Sequence, residues 1–304
     1  MLTFVIPCFN EEKNISELYA RLSKILTDIS NNSEVIFVDD GSTDNTLNEI
    51  KKIHSIDKRV HYLSFSRNFG QQSALLAGIH IAKGDAVITL DADLQHPVSL
   101  IPLFIKEWKS GYEIVQAQRI NTTNINKFKR LSSIFFYKTI NFISDINLAE
   151  GCSDFRLLDK RVIKALCRLR ENNFFFRGII SWCGFKTKYI PYTANERYTG
   201  KSQYSIKRMT MLAFDGITAF TIKPLRLSIL LSMLFVLFAI IEIIYVLYIT
   251  LYLQQAISGW ASLMILVSIL GAMILLMLGI IGEYIGRIFI QVKERPSYII
   301  RESA

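Results

Sequence analysis

Charge is nearly missing from one long stretch of this 304-residue sequence. From Leu227 to Ile281, 55 positions hold a single charged side chain, Glu242. With 20% of the chain charged, the other positions reach about 24%, close to the ~25% of an ordinary soluble domain. Cysteine is scarce too. Four residues, Cys8, Cys152, Cys167 and Cys183, exclude a small disulfide scaffold, and their spacing matches no zinc pattern. Disorder is excluded by a hydrophobic content of 51%. No glycine-rich loop ending in Gly-Lys-Ser/Thr is present, which disfavours P-loop phosphate binding. No G-x-G-x-x-G follows the first apolar run, which argues against a dinucleotide dehydrogenase. Internal repeats, low-complexity tracts and long flexible linkers are missing as well. The start, Met1-Leu2-Thr3-Phe4-Val5-Ile6-Pro7, lacks the basic segment and long apolar run of a signal peptide, so the four thiols are expected to be reduced.

What is present divides into a soluble part and a membrane-resident tail. Two apolar runs, 227–253 and 261–283, are each long enough to span a bilayer core of about 30 Å. The short uncharged segment Gln254 to Trp260 joins them. Two spans return the chain to the side it left. Their flanks are basic, with Lys207, Arg208, Lys223 and Arg226 before and Arg287, Lys293 and Arg295 after. The positive-inside rule then places the soluble part and both termini in the cytoplasm, on a bacterial inner membrane. The expected organisation is a catalytic domain at 1–202, a juxtamembrane amphipathic segment at 203–224, two transmembrane helices within 225–290 and a cytoplasmic tail at 291–304. Glu242 reads either as functional or as a protonated carboxyl at a helix contact.

Along the soluble part, apolar runs alternate with helical spacing. Strands are expected at Thr3–Cys8, Glu34–Val38, Val60–Phe65, Ala86–Leu90 and Glu113–Ala117. Helices are expected at Asn14–Ile29, Thr43–Ile53, Gly70–Ala82 and Val98–Lys109. This alternation predicts an α/β domain with a Rossmann-like, mainly parallel sheet covered on both faces. Ligands of such sheets bind at the carboxyl ends of the strands. Phe128–Ile143 and Ser205–Ile222 are basic and amphipathic. The first fits an interfacial helix or a helix packed on the sheet; the second runs straight into the first span.

The polar residues of interest follow strands. Asp91-Ala92-Asp93 closes one strand and Asp39-Asp40 closes another. Two carboxylates one residue apart can share Mg²⁺ or Mn²⁺ and leave positions open for phosphate. Two acidic strand ends on one edge make one crevice, suited to a nucleoside diphosphate, with Gln95 able to complete the coordination. In a chain of formal net charge +9 this acidity is a local exception. Asp154, in Gly151-Cys152-Ser153-Asp154-Phe155-Arg156, reads as a general base, as an orienter of the acceptor, or as an ion-pair partner of Arg156. Arg197, Lys201 and Ser202 form a loop suited to phosphate. His96, before Pro97, reads as a helix-entry residue. The Phe174–Phe176 run and Trp182 read as packing.

Three segments resemble the inverting family 2 glycosyltransferases of GT-A fold: Val5-Ile6-Pro7-Cys8-Phe9-Asn10-Glu11-Glu12, Val38-Asp39-Asp40-Gly41-Ser42-Thr43-Asp44 and Asp91-Ala92-Asp93-Leu94-Gln95. The likeness narrows through Ser66-Arg67-Asn68-Phe69-Gly70, Ser153-Asp154-Phe155-Arg156-Leu157-Leu158, Arg197 to Ser202, Gly282-Glu283-Tyr284-Ile285-Gly286-Arg287 and Arg295-Pro296. Together these resemble the polyprenyl-phosphate sugar synthases, especially the bactoprenol glucosyltransferases of O-antigen modification, and more distantly dolichyl-phosphate mannose synthase. The resemblance implies that Pro7, Glu11, Asp39, Asp40 and Asp91 surround the donor nucleotide. It implies that Asp91, Asp93 and Gln95 hold Mg²⁺ or Mn²⁺, that Asp154 is the catalytic aspartate, and that Arg119, Arg130, Arg197, Lys201 and Ser202 meet phosphate or acceptor. The implied reaction moves one hexose, glucose from UDP-glucose first, to undecaprenyl phosphate with inversion. UDP-GlcNAc, UDP-galactose and GDP-mannose are alternative donors, and a non-catalytic membrane adaptor is the alternative of another class. Implied partners are membrane lipids, a multi-span flippase, a downstream glycosyltransferase and further copies of the chain; the basic excess points to lipid phosphate, with no nucleic acid. Gln71, Ser153, His96 and Val98 depart from the usual pattern, where Lys, Gly, Asp and Pro are common.

Overall fold

In the computed structural model the described residues are 1–29, 32–120, 151–169, 171, 175–193, 221–252 and 259–304. The expected helix at 128–143, most of the stretch at 205–222, residues 254–258 of the inter-span segment, and Arg130, Arg197, Lys201 and Ser202 lie outside them. The chain divides into two units, Met1–Gly216 with Arg295–Ala304, and Ile217–Glu294.

The first unit is built on an eight-stranded sheet of order β7-β5-β6-β4-β1-β2-β3-β8. Its strands are β1 Leu2–Cys8, β2 Ser33–Asp39, β3 Val60–Phe65, β4 Ala86–Thr89, β5 Ile114–Arg119, β6 Cys152–Asp159, β7 Thr187–Tyr192 and β8 Ile300–Ser303. The β4-β1-β2-β3 half is parallel, as alternating strands and helices require. The other half is mixed: β6 runs antiparallel to both β4 and β5, while β5 and β7 are parallel. β5 follows β4 in the chain yet lies one strand away, because β6 is inserted between them.

Each strand of the parallel half is buried on both faces, and β1 is buried at every position. α1 (Ile15–Ile29) turns Ile15, Leu18, Leu22 and Leu26 inward, all at most 1% exposed, onto Phe4, Ile6 and Phe37. Burying such a side chain stabilises by about 1.5–3 kcal/mol. The opposite face carries Val5 and Val38, and α3 (Gln71–Ile81) lies there. It comes so close that a Cβ on Gly78 would stand 2.3 Å from Val5 Cγ1. α2 (Thr46–Ile56) packs beside β3, and α4 (Ile101–Lys109), entered through a 3-10 turn at Val98–Leu100, packs on β5 and β6. Two short helices, α5 (Lys160–Leu166) and α6 (Phe176–Trp182), complete the unit among the described residues.

The last residues belong to this sheet. β8 pairs antiparallel with β3 at the sheet edge, the Tyr298 ring stacks on Phe65 at 5.1 Å, and Lys51 Nζ meets Glu302 Oε2 at 2.7 Å.

The second unit is helical. α7 (Lys223–Leu247) continues into a π-turn at Tyr248–Tyr252, and α8 runs from Trp260 to Val292. At 33 residues, α8 is about 50 Å long. Leu266–Val292 is long and apolar enough to cross a membrane, and Ile229–Tyr245 is a shorter apolar stretch. Leu230, Leu234, Leu275 and Leu276 are each more than half exposed, an apolar surface suited to lipid.

Replacing Gly78 by Ala tests the helix-on-sheet contact. The new methyl group cannot fit without moving Val5, so the variant should lose about 1–3 kcal/mol of stability, read as a lower Tm of the detergent-solubilised protein.

Candidate active site

β1, β2, β3 and β4 are mutually parallel and end on one sheet edge. β6 runs the other way, so it begins there, with Asp154 two residues before Arg156, the partner of Thr89. Thr89 Oγ1 donates to the Asp154 carbonyl at 2.5 Å. The edge therefore gathers Glu11, Asp39-Asp40, Asp91 and Asp93, and Asp154. Their convergence is felt at Cys8, the last residue of β1: its buried thiol is pushed well above its ordinary value by burial, then by Asp39, Glu11, Asp91 and Asp44.

Several of these acids hold loops. Asp39 accepts from the Ser42 N–H at 3.1 Å and from Ser64 Oγ at 2.8 Å. Asp40 accepts from the Phe69 and Gly70 N–H groups at 2.6 and 2.9 Å, and burial raises its pKa despite them. Asn10, at φ +56°, accepts from the Thr43 N–H at 2.8 Å and donates its own N–H to Ser42 Oγ. Gly41 is at φ +67°, and a Cβ there would stand 2.4 Å from the Arg67 carbonyl carbon; only glycine allows that approach. Glu11 accepts from Asn14 Nδ2 at 2.5 Å. Pro7 pairs with Val38 beyond the end of β4, where its missing N–H leaves no β4 bond unmade.

The segment after β4 alternates. Ala92, Leu94 and His96 are buried, while Asp91, Asp93 and Gln95 are half-buried. Leu94 takes φ +62°, a left-handed conformation costly for a branched side chain. Gln71 Nε2 donates to Asp91 Oδ1 at 2.6 Å, and the Gln95 N–H donates to Asp93 Oδ1 at 3.1 Å. Withdrawal from water, with Asp154 and Asp93 close by, pushes the Asp91 carboxyl up to about 7. Such a carboxyl is short of positive charge. Among the described residues no three or more His, Cys, Asp or Glu converge as a protein-only metal site. A pair of carboxylates that leaves most positions to substrate phosphate and water is the donor set Mg²⁺-like ions take, so Asp91, Asp93 and Gln95 fit the expected cation.

Asp154 sits differently. Its side chain, 4% exposed, accepts from Arg156 at 2.7 Å on Oδ1 and from Arg177 at 3.2 Å on Oδ2. Burial opposes its charge, but the two guanidiniums prevail and lower its pKa to about 2. It is an ionised group and a weak base near neutral pH. Arg156, 1% exposed, also donates to the Ser153 carbonyl at 2.9 Å. Exposed Arg119, at the end of β5, is held by its N–H to the Gly151 carbonyl at 2.8 Å.

Three participants escaped the sequence reading. Arg177 follows an aromatic run that reads as packing. Gln71 opens a helix. His96 reads as a helix-entry residue, yet its ring is buried, and burial pushes its pKa down to about 4. Gln71 and His96 stand out in the sequence only as departures from the family pattern, and Arg177 by nothing local, since it lies 23 residues from Asp154.

With this geometry in place, comparison with known proteins decides the family. A model described as glycosyl transferase family 2 matches residues 3–167. The chain belongs to that family. A second model, the GtrB C-terminal hairpin, matches residues 223–288. The chain is similar to a glycosyltransferase of Bacillus subtilis, YkcC, described as uncharacterized, at 40% identity over 99% of this chain and 93% of that one. It is similar to the SfII prophage-derived bactoprenol glucosyl transferase of Shigella flexneri at 37% identity over 99% and 98%. Among solved structures it matches glucosyl-3-phosphoglycerate synthase from Mycobacterium tuberculosis at 16% identity and a TM-score of 0.45, over 72% of this chain and 77% of that one. As a family 2 member the chain is a glycosyltransferase with a mixed, mostly parallel sheet, and its apolar helices and hairpin match associate it with the membrane.

Asp154→Asn would leave Arg156 buried beside a neutral amide. The expected loss is about 3–5 kcal/mol, measured by denaturation, with Asp154→Asn/Arg156→Met recovering part of it. Equal stability of Asp154→Asn and the parent would mean that the ion pairs do not hold this end of β6.

Proposed function

We propose that the protein transfers a single hexose, glucose from UDP-glucose first, to undecaprenyl phosphate, with inversion, at the cytoplasmic face of the membrane. The observation that supports this most is the joining, in one chain, of an acidic strand-end edge to an apolar hairpin. A relative named as a bactoprenol glucosyl transferase matches across both, over nearly its whole length.

The residues suit such a reaction. When bound, a divalent cation held by Asp91, Asp93 and Gln95 would act as a Lewis acid toward the departing nucleoside diphosphate. Glu11, Asp39 and Asp40 border the nucleoside: Asp39 and Asp40 tie the Gly41–Ser42 and Phe69–Gly70 turns, so backbone and carboxylate would meet base and ribose on a rigid floor. The acceptor needs no strong base, since a phosphate monoester is already largely anionic near neutral pH, with a second pKa of about 6. Asp154, held ionised between two arginines, would orient reactants instead of removing a proton. Positioning of this kind can lower a barrier by several kcal/mol. Arg119, with Arg130, Arg197, Lys201 and Ser202, would meet the acceptor or its phosphate.

We infer two membrane crossings. β8 and β1–β5 share one sheet, so the segment between 216 and 295 starts and ends at the same unit. A segment so tethered crosses a membrane an even number of times. Lys223, Arg226, Arg287 and Lys293 near its ends favour the cytoplasmic side. A flippase for the lipid-linked sugar and a transferase that uses it would complete the route.

Purified protein with undecaprenyl phosphate, Mg²⁺ or Mn²⁺ and radiolabelled UDP-glucose should yield a labelled lipid. UDP-GlcNAc, UDP-galactose and GDP-mannose run beside it identify the sugar. No lipid product from any donor sinks the proposal. Removal of divalent ions by EDTA, or the Asp91→Asn/Asp93→Asn variant, should cut turnover by about 100-fold or more, and full activity there would remove the cation from the reading.

A further inference from the structure

Asp91 is held by two hydrogen bonds, one at its carboxylate and one at its backbone N–H, to two side chains that flank it in space. Gln71 Nε2 donates to its Oδ1 at 2.6 Å. Its own backbone N–H donates to His96 Nδ1 at 3.1 Å. A ring nitrogen that accepts carries no proton, so the proton of the neutral imidazole is on Nε2. That atom faces Asp91 Oδ2 at 3.6 Å. The ring has little freedom: it is buried, stacks on Phe155 at 5.1 Å and 16°, and meets Tyr192 edge-on at 6.1 Å. The left-handed turn at Leu94 carries the chain back, so that residue 96 reaches residue 91.

The chemistry of the pair matters. A lysine beside Asp91 would supply positive charge and compete with a bound cation for the carboxylate. A carboxamide and a neutral imidazole orient the same oxygens while leaving the negative charge available. Gln71 and His96 are also two of the positions where this chain departs from the pattern it resembles, and both departures fall on one carboxylate.

We propose that His96, aided by Gln71, is a positioning residue: it locks the Asp91 loop and carboxylate in the orientation in which Asp91 and Asp93 share a divalent cation with the donor diphosphate. The inference rests on the reading of Asp91 as a cation ligand, and the test separates the two.

Mn²⁺ affinity is measured by electron paramagnetic resonance on the full-length protein in detergent, with UDP present and no turnover. His96→Phe keeps the stacking ring and removes both nitrogens. His96→Asn keeps an acceptor where Nδ1 stood. The expected result is a 10–100-fold weaker Mn²⁺ affinity in His96→Phe, a higher KM for the donor with the acceptor KM unchanged, and recovery of most of the affinity in His96→Asn. Gln71→Leu should weaken Mn²⁺ binding with little change in Tm. If His96→Phe binds Mn²⁺ as the parent does, the positioning role is overturned. If His96→Phe fails to fold, unchanged affinity in Gln71→Leu overturns it instead. A parent protein that binds no Mn²⁺ with UDP would overturn the reading of Asp91 itself, a result distinct from either.

Discussion

Six carboxylates, Glu11, Asp39, Asp40, Asp91, Asp93 and Asp154, share one sheet edge, and like charges at that density repel. The constraint is met by the buried pair Asp154 and Arg156 together with the partly exposed Arg177. One ionised carboxylate between two guanidiniums leaves a net positive charge at the edge, close to Asp91, on which Arg177 and Arg156 act. Arg156 lies in β6, antiparallel between β4 and β5, so the strand insertion that breaks the parallel pattern also brings the compensating charge.

The remaining acids illustrate a division of labour by environment. Asp39 and Asp40 are almost fully buried and accept hydrogen bonds from the turns that follow β2 and β3. They shape the floor of the crevice. Asp91 and Asp93 stay half-buried after the end of β4. Carboxylates of the same chemical type thus differ by how deeply each is buried and by which loops it ties.

Much of the fold was legible from periodicity. Val60–Phe65 was placed at its observed bounds, and β1, β2 and β4 within a residue or so, because buried parallel strands are continuous apolar runs and α1 shows a clean helical stripe. β6 and β7 were not read as strands, since Cys152–Asp159 mixes polar and apolar residues in no regular alternation. β8 reads from sequence as tail: four residues, Ile300–Ser303, carry too little pattern to declare a strand, and the edge of β3 gives them a partner. Of the site, the carboxylates announced themselves by sitting directly after apolar runs. Arg177, Gln71 and His96 did not.

By itself, then, the order of residues determined the soluble and apolar parts, the parallel core and the acidic strand ends, because hydrophobic burial and strand-end chemistry are written locally. The pairing of Asp154 with Arg156 is already among the readings of their spacing; the tertiary structure alone decided the pairings between residues far apart in the chain. Asp154 is two residues from Arg156 but 23 from Arg177, and Gln71 is 20 from Asp91. Those pairings follow from how strands and helices are laid side by side, and electrostatic strength depends on distance in space and burial, neither of which chain spacing specifies.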